Sequence, residues 1–522
     1  MSRSSSAGRR SAPKGNRSRH RHRAHRARST SRAIGLTLLS AIFPGSGFVI
    51  GGRTKLGVFV MTLSAGLVGL AVLMVLTRRD QVIQLFVDPS QLLVAAGVLL
   101  ALALCWISVI VSSHKLLRPV GVSGVGRAVG SAFVGLLCFA IAVPTAVAAE
   151  NVMAQRDLVG SVFASESNSK SATRPKVNNQ NNPWAKTPRL NILLLGADDG
   201  VGRTGTRTDT VMVASIDTKT GDTALISLSR NWMHMPFPAN SPLHKFYPDG
   251  FYDPSLGDVE QPEFYLDAMY RNVQAAHPGV LGPSDNPGAD VLKVSVGEAM
   301  GLDISYYMQV NLKGFQAIVD ALGGITVNIN YKVPIGGDYR GPGAADDILP
   351  KAYLHPGPNQ HLNGYYGLWY ARGRFGLNDT SRQERQRCAI HAIVSSANPR
   401  TLVTKYQQIA SASKQLLRTD IPQEILPAFV TLGLKVKNAK VSNVDLDRNK
   451  NFPNGRHPDY AAMREIVAKA TRPKTTPVAA TPSSPATKKP TAGKTTAATP
   501  PPGSTQDLTD ACAYHPTTTP TG

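Results

Sequence analysis

Charged residues cluster at the ends of three apolar runs in the middle of the chain. The runs cover residues 191–195, 211–216 and 223–228, and each has the length and composition of a buried strand. The loops at their ends carry Asp198, Asp199, Arg207, Asp209 and Arg230. A metal-assisted phosphate site requires such residues, because the metal needs hard oxygen ligands and the phosphates need planar cations. These residues alone leave open a simpler interpretation, a surface ion pair between Arg207 and Asp209.

A second group of charges lies in residues 361–387, HLNGYYGLWYARGRFGLNDTSRQERQR. Arg372 and Arg374 are two positions apart, which places both on one side of an extended segment. We therefore expect these two arginines to face the same ligand.

A helix is predicted to begin just after these two arginines. Ser381 and Glu384 form a capping-box pattern. This start places Arg382 in the first turn and Arg385 three positions on, on the same face. The free amides and the dipole of a helix N-terminus favour anions. With Asp379 just upstream, the sequence predicts a phosphate subsite here; an exposed helix with solvated charges is the alternative.

Strands and helices alternate around both charged groups. After the first three strands, the patterns predict helices at residues 290–300 and 312–322 and strands at 306–310 and 325–329. Interleaved strands and helices predict an α/β fold, here an α/β/α sandwich around a central mixed β-sheet. We assign this catalytic domain to residues 189–470.

The net charge of +23 is concentrated at the N-terminus. Residues 1–33 contain eleven Arg or Lys and no Asp or Glu, and they have no apolar periodicity. Such a tail is predicted to be disordered. Its charge fits either nucleic-acid binding or a topogenic signal kept on the cytoplasmic side of a membrane. Because it lacks a fold and interleaved aromatic residues, we favour the topogenic role and predict no nucleic-acid partner.

A membrane region is predicted at residues 34–149. It holds four apolar stretches, at 34–51, 56–76, 92–111 and 129–148, each close to the ~20 residues that span a bilayer. The sequence PGSG at 44–47 breaks the first stretch, which predicts a re-entrant segment and leaves three spans. Three crossings from a cytoplasmic tail would place the catalytic domain outside the cell, whereas a first stretch that also spans would make four and return the domain to the cytoplasm.

Two flanking segments and one cysteine pair complete the predicted organisation. Residues 150–188 are rich in Ser, Asn, Lys and Pro and predict a linker. Residues 471–522 predict a disordered Thr/Pro/Ala-rich tail that ends in a small cysteine patch. Cys388 and Cys512 both fall in the exported part, where disulfides persist, so we predict that they pair. Two unrelated thiols are the alternative.

Six motifs occur in order within residues 189–410: NILLLGAD, RTDTVMVASID, SLSRN, FQAIVDALGGITVNI, HLNGYYGLWYARGR and DTSRQERQR. Together they resemble the LytR-CpsA-Psr family, in its actinobacterial type. The resemblance implies a membrane-anchored phosphotransferase that moves a glycopolymer from a polyprenyl-pyrophosphate carrier to peptidoglycan during cell-wall assembly. It also implies Mg²⁺ as the cofactor, with Mn²⁺ as the alternative.

The resemblance assigns roles to individual residues. It implies metal binding by Asp198 and Asp209. It implies catalytic roles for Arg207, Arg230, Arg372, Arg374 and Asp379, and substrate binding by Arg382, Arg385 and Lys245. Asp320 matches a further acidic position. The chain departs from the family at residues 229–231, Ser-Arg-Asn in place of the usual Pro-Arg-Asp, and in the unusually long region 235–290.

Two other functions stay open on the sequence alone. One is a membrane-bound transcriptional attenuator whose basic tail binds nucleic acid. The other is a polyprenyl-pyrophosphate pyrophosphatase, which would use the same site with water as the acceptor.

Overall fold

The structure is a computed structural model that describes residues 29–78, 82, 88–177, 182–198, 207–338, 348–396, 417–446, 455–472 and 505–516. Contacts divide the chain into two units, Met1–Arg78 with Ala96–Glu150, and Arg79–Ala95 with Asn151–Gly522. The basic tail, apart from residues 29–33, lies outside the described residues.

The described residues of the N-terminal part include five helices: α1 Thr30–Ile42, α2 Ser46–Ile50, α3 Thr54–Thr77, α4 Pro89–Leu117 and α5 Gly124–Val162. Among the residues that the structure describes, three segments, in α3, α4 and α5, are long and apolar enough to cross a membrane: Thr54–Thr77, Ser90–Leu117 and Gly124–Asp157. They overlap the three spans predicted from the sequence. Membrane anchoring therefore follows from their length and composition.

The first apolar stretch folds as two short helices instead of one long one. α1 ends before Pro44, and Gly45 at the start of α2 has a φ of 99°, which a residue with a side chain rarely adopts. Thr37 on α1 shares a hydrogen bond of 3.0 Å with Nδ1 of His114 on α4. Neither short helix reaches the ~20 residues of a span. The re-entrant path itself stays a prediction.

The second unit is built on a seven-stranded sheet. Its strands are β1 Arg189–Asp198, β2 Arg207–Asp217, β3 Thr223–Leu228, β4 Ile304–Asn311, β9 Leu417–Thr419, β10 Val441–Asp445 and β11 Thr505–Asp507. They lie in the order β11-β10-β3-β2-β1-β4-β9. β1 pairs antiparallel with β2 and parallel with β4, and β3 pairs parallel with β10. The predicted mixed sheet is confirmed.

Helices cover both faces of this sheet. Besides the end of α5, the described helices of the unit are α6 Leu266–Ala276, α7 Pro287–Met300, α8 Leu312–Ala321, α9 Gly364–Arg372, α10 Asp379–Ser396, α11 Leu426–Asn438, α12 Tyr460–Thr471 and α13 Leu508–Ala511. Neighbouring residues of β1 point to opposite faces: Leu193 packs into a core with α6, α7 and α12, whereas Ile192 packs into a second core with α11. The predicted α/β/α sandwich is therefore confirmed.

A smaller core beside the sheet supports the second charged group. Two antiparallel strand pairs form it, β5 Ile325–Ile329 with β8 Gly357–Leu362 and β6 Val333–Asp338 with β7 Ile348–Leu354. Val319 of α8, Tyr370 of α9 and Ala389 of α10 pack against them. This core fixes the ends of α9 and α10, where the charged residues lie.

Most of the segment 150–188, predicted as a linker, is described by the structure, and these described residues belong to the folded domain. α5 continues to Val162, and Val159 lies in the same core as α11. Farther along, the Ser171 hydroxyl, the Ala172 N–H and the Thr173 hydroxyl donate to the Asp290 carboxylate. The prediction was wrong because these polar residues find partners on the domain instead of in solvent. We call residues 163–177 the strap.

The C-terminal tail also contributes to the fold. Residues 473–504 lie outside the described residues, but β11 pairs antiparallel with β10 and adds the last strand to the sheet. A disulfide joins Cys388 of α10 to Cys512, as predicted. The cysteine patch is thus an ordered end, attached to the helix that begins at Asp379.

Candidate active site

A β-bulge shapes the end of β1 and β2. Their register shifts between Gly196 and Ala197, and Asp209 is the residue of β2 that the shift leaves without an opposite. A bulge interrupts the alternation of side chains and re-aims the extra residue. Asp198, the last residue of β1, lies opposite Arg207 in the backbone register. The bulge therefore lies among the residues predicted to bind metal and phosphate.

Arg230 is the centre of a charged cluster that the structure assembles. Its Nη1 lies 2.7 Å from Oδ1 of Asp209 and 4.0 Å from Oδ2 of Asp267. Its Nε lies 4.0 Å from Oδ1 of Asp379. Burial disfavours the charged guanidinium, but these carboxylates outweigh burial and raise the pKa of Arg230 above its ordinary value. Arg230 therefore links β2, α6 and α10 around one cation.

The same cluster keeps Asp209 ionised. Burial alone would raise the pKa of Asp209, but Arg230, Arg382 and Arg374 hold it below its ordinary value. A carboxylate that is charged at neutral pH beside several arginines can serve either as a metal ligand or as a counter-charge.

α10 begins earlier than predicted. Its first residue is Asp379, and the Asn378 side chain accepts the N–H of Ser381 at 2.9 Å, so Asn378 is the cap and the Ser381–Glu384 capping box is not formed. The correction leaves Arg382 in the first turn, where its Nη2 lies 2.7 Å from Oδ1 of Asp379. The Nε of Arg382 is buried without a hydrogen-bond partner among the described residues. It is a donor available to a bound anion.

Arg372 is the last residue of α9, and Arg374 lies in the turn between α9 and α10. The guanidinium of Arg372 lies over the ring of Trp369, 5.7 Å from its centroid, and Arg374 is exposed. Asp320 of α8 accepts the N–H of Gly364 at 2.7 Å and so fixes the start of α9. The charge of Arg374 is one of those that lower the pKa of Asp209.

Arg385 does not join the cluster, contrary to the prediction. Its guanidinium donates to the carbonyls of Tyr370 (2.8 Å) and Gly373 and to the Tyr331 hydroxyl (3.1 Å). These partners come from other elements, so helical spacing alone did not reveal them. Arg385 is 4% exposed and supports the turn that carries Arg372.

Arg207 lies between two carboxylates that the motifs do not include. Its Nη2 lies 2.7 Å from Oε1 of Glu263, and its Nη1 lies 3.7 Å from Oδ2 of Asp267. The Glu263 side chain is 58% exposed, whereas that of Asp267 is 4% exposed. Both residues come from the long region 235–290, where the family pattern gave no guide. Only their charge distinguished them in the sequence.

Lys245 is not brought to the cluster. It ends the short 3-10 helix Pro242–Lys245 and is exposed, and no ion pair joins it to the cluster in the described part of the chain. The buried residue Leu243 fixes this helix and leaves the lysine on the surface, so its role in substrate binding stays a prediction.

An apolar cavity of about 260 Å³ opens beside the arginines. It lies between the sheet and helices α8, α9 and α10. Its apolar walls include Leu194, Met308, Phe315, Ile318, Leu368, Ala389, Ile390 and Ile393. Asp209, Arg372 and Arg382 line the same cavity. It can therefore accept a molecule with an apolar chain and an anionic head.

The carboxylates suit a hard cation. Asp209 is ionised, and Asp198 ends the neighbouring strand opposite Arg207. Among the described residues no group of three or more His, Cys, Asp or Glu forms a metal site. Mg²⁺ is often held by one or two carboxylates with substrate phosphates completing its shell. The Asp209 carboxylate fits that arrangement, and Asp198 is placed here by its backbone position alone.

Comparison with known proteins places the chain. The LytR_cpsA_psr family model matches residues 158–472, more than half of the chain. The chain is 26% identical over 278 residues to the polyisoprenyl-teichoic acid–peptidoglycan teichoic acid transferase TagU of Oceanobacillus iheyensis, covering 53% of this chain and 72% of TagU. It is 26% identical over 238 residues to the biofilm regulatory protein A of Streptococcus mutans, covering 44% of this chain and half of that protein.

A solved structure also matches part of the chain. Protein gbs0355 of Streptococcus agalactiae is 23% identical, with a TM-score of 0.39, and the match covers 58% of this chain and 94% of that one. The family match begins at residue 158, in the last turns of α5 and ahead of the strap, and it contains every charged residue of the cluster. The chain belongs to the LytR-CpsA-Psr family.

Proposed function

We propose that this protein is a membrane-anchored phosphotransferase that moves a glycopolymer from a polyprenyl-pyrophosphate carrier to peptidoglycan. One observation carries the proposal: Asp209 and Arg382 of the charged cluster, together with Arg372, also line the apolar cavity. A polyprenyl pyrophosphate has the matching shape, an apolar chain joined to two phosphates. The name of the similar TagU, a transferase from polyisoprenyl carrier to peptidoglycan, supports the same substrate class.

The arginines would act on the phosphates. The pyrophosphate carries two negative charges, and its cleavage places more charge on the leaving polyprenyl phosphate. Arg230, Arg372 and Arg382 are positioned to neutralise that charge with planar, charge-assisted hydrogen bonds. In a phosphoryl transfer, such positioning and electrostatic stabilisation supply most of the catalysis.

The proposed reaction exchanges one P–O bond for another. An acceptor hydroxyl of peptidoglycan attacks the phosphorus that bears the glycan, and the bond from that phosphorus to the polyprenyl phosphate breaks. The leaving group takes the electron pair, and the hydroxyl proton passes to a carboxylate, Asp379 or Asp209. Mg²⁺ held by Asp198 and Asp209 would supply further charge neutralisation at the phosphates.

We also propose that the catalytic domain lies outside the cytoplasmic membrane. The three candidate spans in the described part of the chain are an odd number, which supports a basic tail and a domain on opposite sides of the membrane. The disulfide between Cys388 and Cys512 supports an oxidising compartment.

Reporter fusions after Val162, the last residue of α5, should test this placement. We expect alkaline phosphatase, which requires export, to be active there and a cytoplasmic fluorescent reporter to be dark. The reverse pattern would contradict both the placement and the function.

The function itself is tested with the full chain purified in detergent. We expect a polyprenyl-pyrophosphate disaccharide to yield polyprenyl phosphate only when peptidoglycan fragments are present, with the disaccharide phosphate joined to them. Equal release without acceptor would indicate a pyrophosphatase. No turnover under either condition would favour the regulatory alternative.

Filling the cavity should impair use of a long-chain donor. Ile318 of α8 lines the cavity and is only half-buried, so Ile318→Trp should fold but occupy part of the lipid's volume. We expect the KM for the donor to rise about tenfold with kcat little changed. Lys313→Trp, on the exposed side of the same helix, is the matched control. An unchanged KM in Ile318→Trp would exclude this cavity as the lipid site.

Asp209→Asn should weaken the use of Mg²⁺. The amide cannot supply a charged oxygen ligand, so the Mg²⁺ concentration for half-maximal rate should rise and the maximal rate should fall by about a hundredfold. Asp249→Asn, at an exposed position, should leave both values unchanged. A Mg²⁺ titration with the same midpoint in Asp209→Asn and wild type would remove Asp209 from the metal site.

A further inference from the structure

Asp267 lies inside the arginine cluster although no motif contains it. Its Oδ2 lies 3.7 Å from Nη1 of Arg207 and 4.0 Å from Nη1 of Arg230. Its Oδ1 is buried and has no hydrogen-bond partner among the described residues. Burial raises the pKa of Asp267 more than Arg230 and Arg207 lower it. A carboxylate that costs free energy to bury without full hydrogen bonding requires an explanation.

Asp267 holds Arg230 at two points. Its backbone N–H donates to the carbonyl of Arg230 at 3.1 Å, while its carboxylate approaches the guanidinium of the same residue. The next contact, from the N–H of Leu266 to the carbonyl of Trp232 at 2.9 Å, continues this pairing. The start of α6 is thus fixed on the turn that follows β3.

We propose that Asp267 is the positioning residue that fixes the relative directions of Arg207 and Arg230 for pyrophosphate transfer. This inference rests on the proposed function. The two arginines come from the ends of different strands. Their N–H donors therefore keep a fixed orientation relative to each other only if a group that lies between them holds both guanidinium groups. Asp267 is a single buried anion within ion-pair distance of both arginines, so it can set their relative directions. Phosphoryl transfer depends on such an alignment of the groups that bind the phosphates.

Glu263 cannot take this role. It contacts Arg207 at a shorter distance than Asp267 does, 2.7 Å, but from the exposed side, where water and salt weaken an ion pair. A phosphate that binds Arg207 can replace Glu263, whereas the buried Asp267 stays in place behind the guanidinium. The two carboxylates therefore give a matched pair for testing.

Asp267→Asn in the full chain in detergent tests the proposal. The amide keeps the shape and removes a negative charge near two arginines, so affinity for geranylgeranyl pyrophosphate, used as the probe, should stay the same or rise. The kcat for transfer from a polyprenyl-pyrophosphate disaccharide should fall between about tenfold and a hundredfold. The melting temperature should change little, since the buried charge is not a stabilising one.

Two comparisons separate positioning from folding. Glu263→Gln should lower kcat by less than about threefold. In an Arg207→Lys background the effect of Asp267→Asn should shrink, because the fork that it positions is already lost. A kcat within about twofold of wild type in Asp267→Asn would overturn the proposal, as would a joint fall of kcat, probe affinity and melting temperature. A wild-type chain that forms no transfer product would overturn the proposed function and this inference with it.

Discussion

Replacing Arg230 with lysine should lower the rate of transfer by at least about a hundredfold while the protein stays folded. The guanidinium of Arg230 lies within 4.0 Å of Asp209, Asp267 and Asp379. A lysine keeps the positive charge that these carboxylates need, so no buried anion is left uncompensated. It lacks the planar fork that can contact carboxylates and phosphate oxygens together. Loss of one such donor in a closed site costs about 10²–10³ in kcat.

The measurement is kcat for transfer together with the melting temperature in detergent. Arg464→Lys is the matched control, because Arg464 also pairs with a carboxylate, Glu298 at 2.9 Å, but on α12 away from the cluster. We expect the control to transfer like wild type. Near-normal turnover in Arg230→Lys would show that Arg230 only balances charge and takes no part in binding phosphate.

The core of the site could be predicted because its residues depend on local structure. Asp209 and Arg230 lie at the ends of apolar strands, and Arg382 lies in the first turn of a helix that the sequence predicts. Strand ends and helix starts are set by short-range patterns, so side chains there can be placed without knowing the fold. The mixed sheet then brings the ends of β2 and β3 together.

Asp267 and Arg385 could not be predicted because their partners come from distant elements. An Asp in the first turn of an amphipathic helix is explained by the helix dipole alone, so Asp267 gave no separate signal. Arg385 follows Arg382 by three positions and was expected on the same face. Instead, the Arg385 guanidinium donates hydrogen bonds to the carbonyls of Tyr370 and Gly373, at the end of α9.

The strap shows the same limit for a whole segment. Its polar composition predicts a linker, because polar residues are compatible with exposure to solvent. Composition does not indicate whether these residues find hydrogen-bond partners elsewhere in the chain. In the structure Asp290 accepts hydrogen bonds from three of its residues, and Val177 packs against the core that contains α11. Long-range pairing of this kind is invisible to a local pattern.

Breaking the disulfide should cause the largest loss of stability of any change proposed for this domain. The bond joins residues 124 positions apart. In the chain-entropy treatment, closing a loop of that length stabilises the folded state by about 5 kcal/mol, and engineered or removed disulfides often give less. Without the bond, the described end of the chain would be held by the short strand β11 and by side-chain contacts such as Asn328 to the Cys512 carbonyl at 2.9 Å.

We therefore expect Cys512→Ser to lower the free energy of unfolding by several kcal/mol and the melting temperature by roughly 5–15 °C. Cys388→Ser should lower it equally, and the double variant should be no less stable than either single variant, because both changes remove the same bond. Cys138→Ser, which removes a free thiol, should leave the thermal transition unchanged.

At temperatures well below the thermal transition, transfer activity should persist in all four variants. Arg382 and Asp379 lie at the start of α10, more than a turn before Cys388. If the losses of unfolding free energy from Cys388→Ser and Cys512→Ser were additive, each thiol would act separately. That result would contradict a disulfide that attaches the segment of β11 to α10.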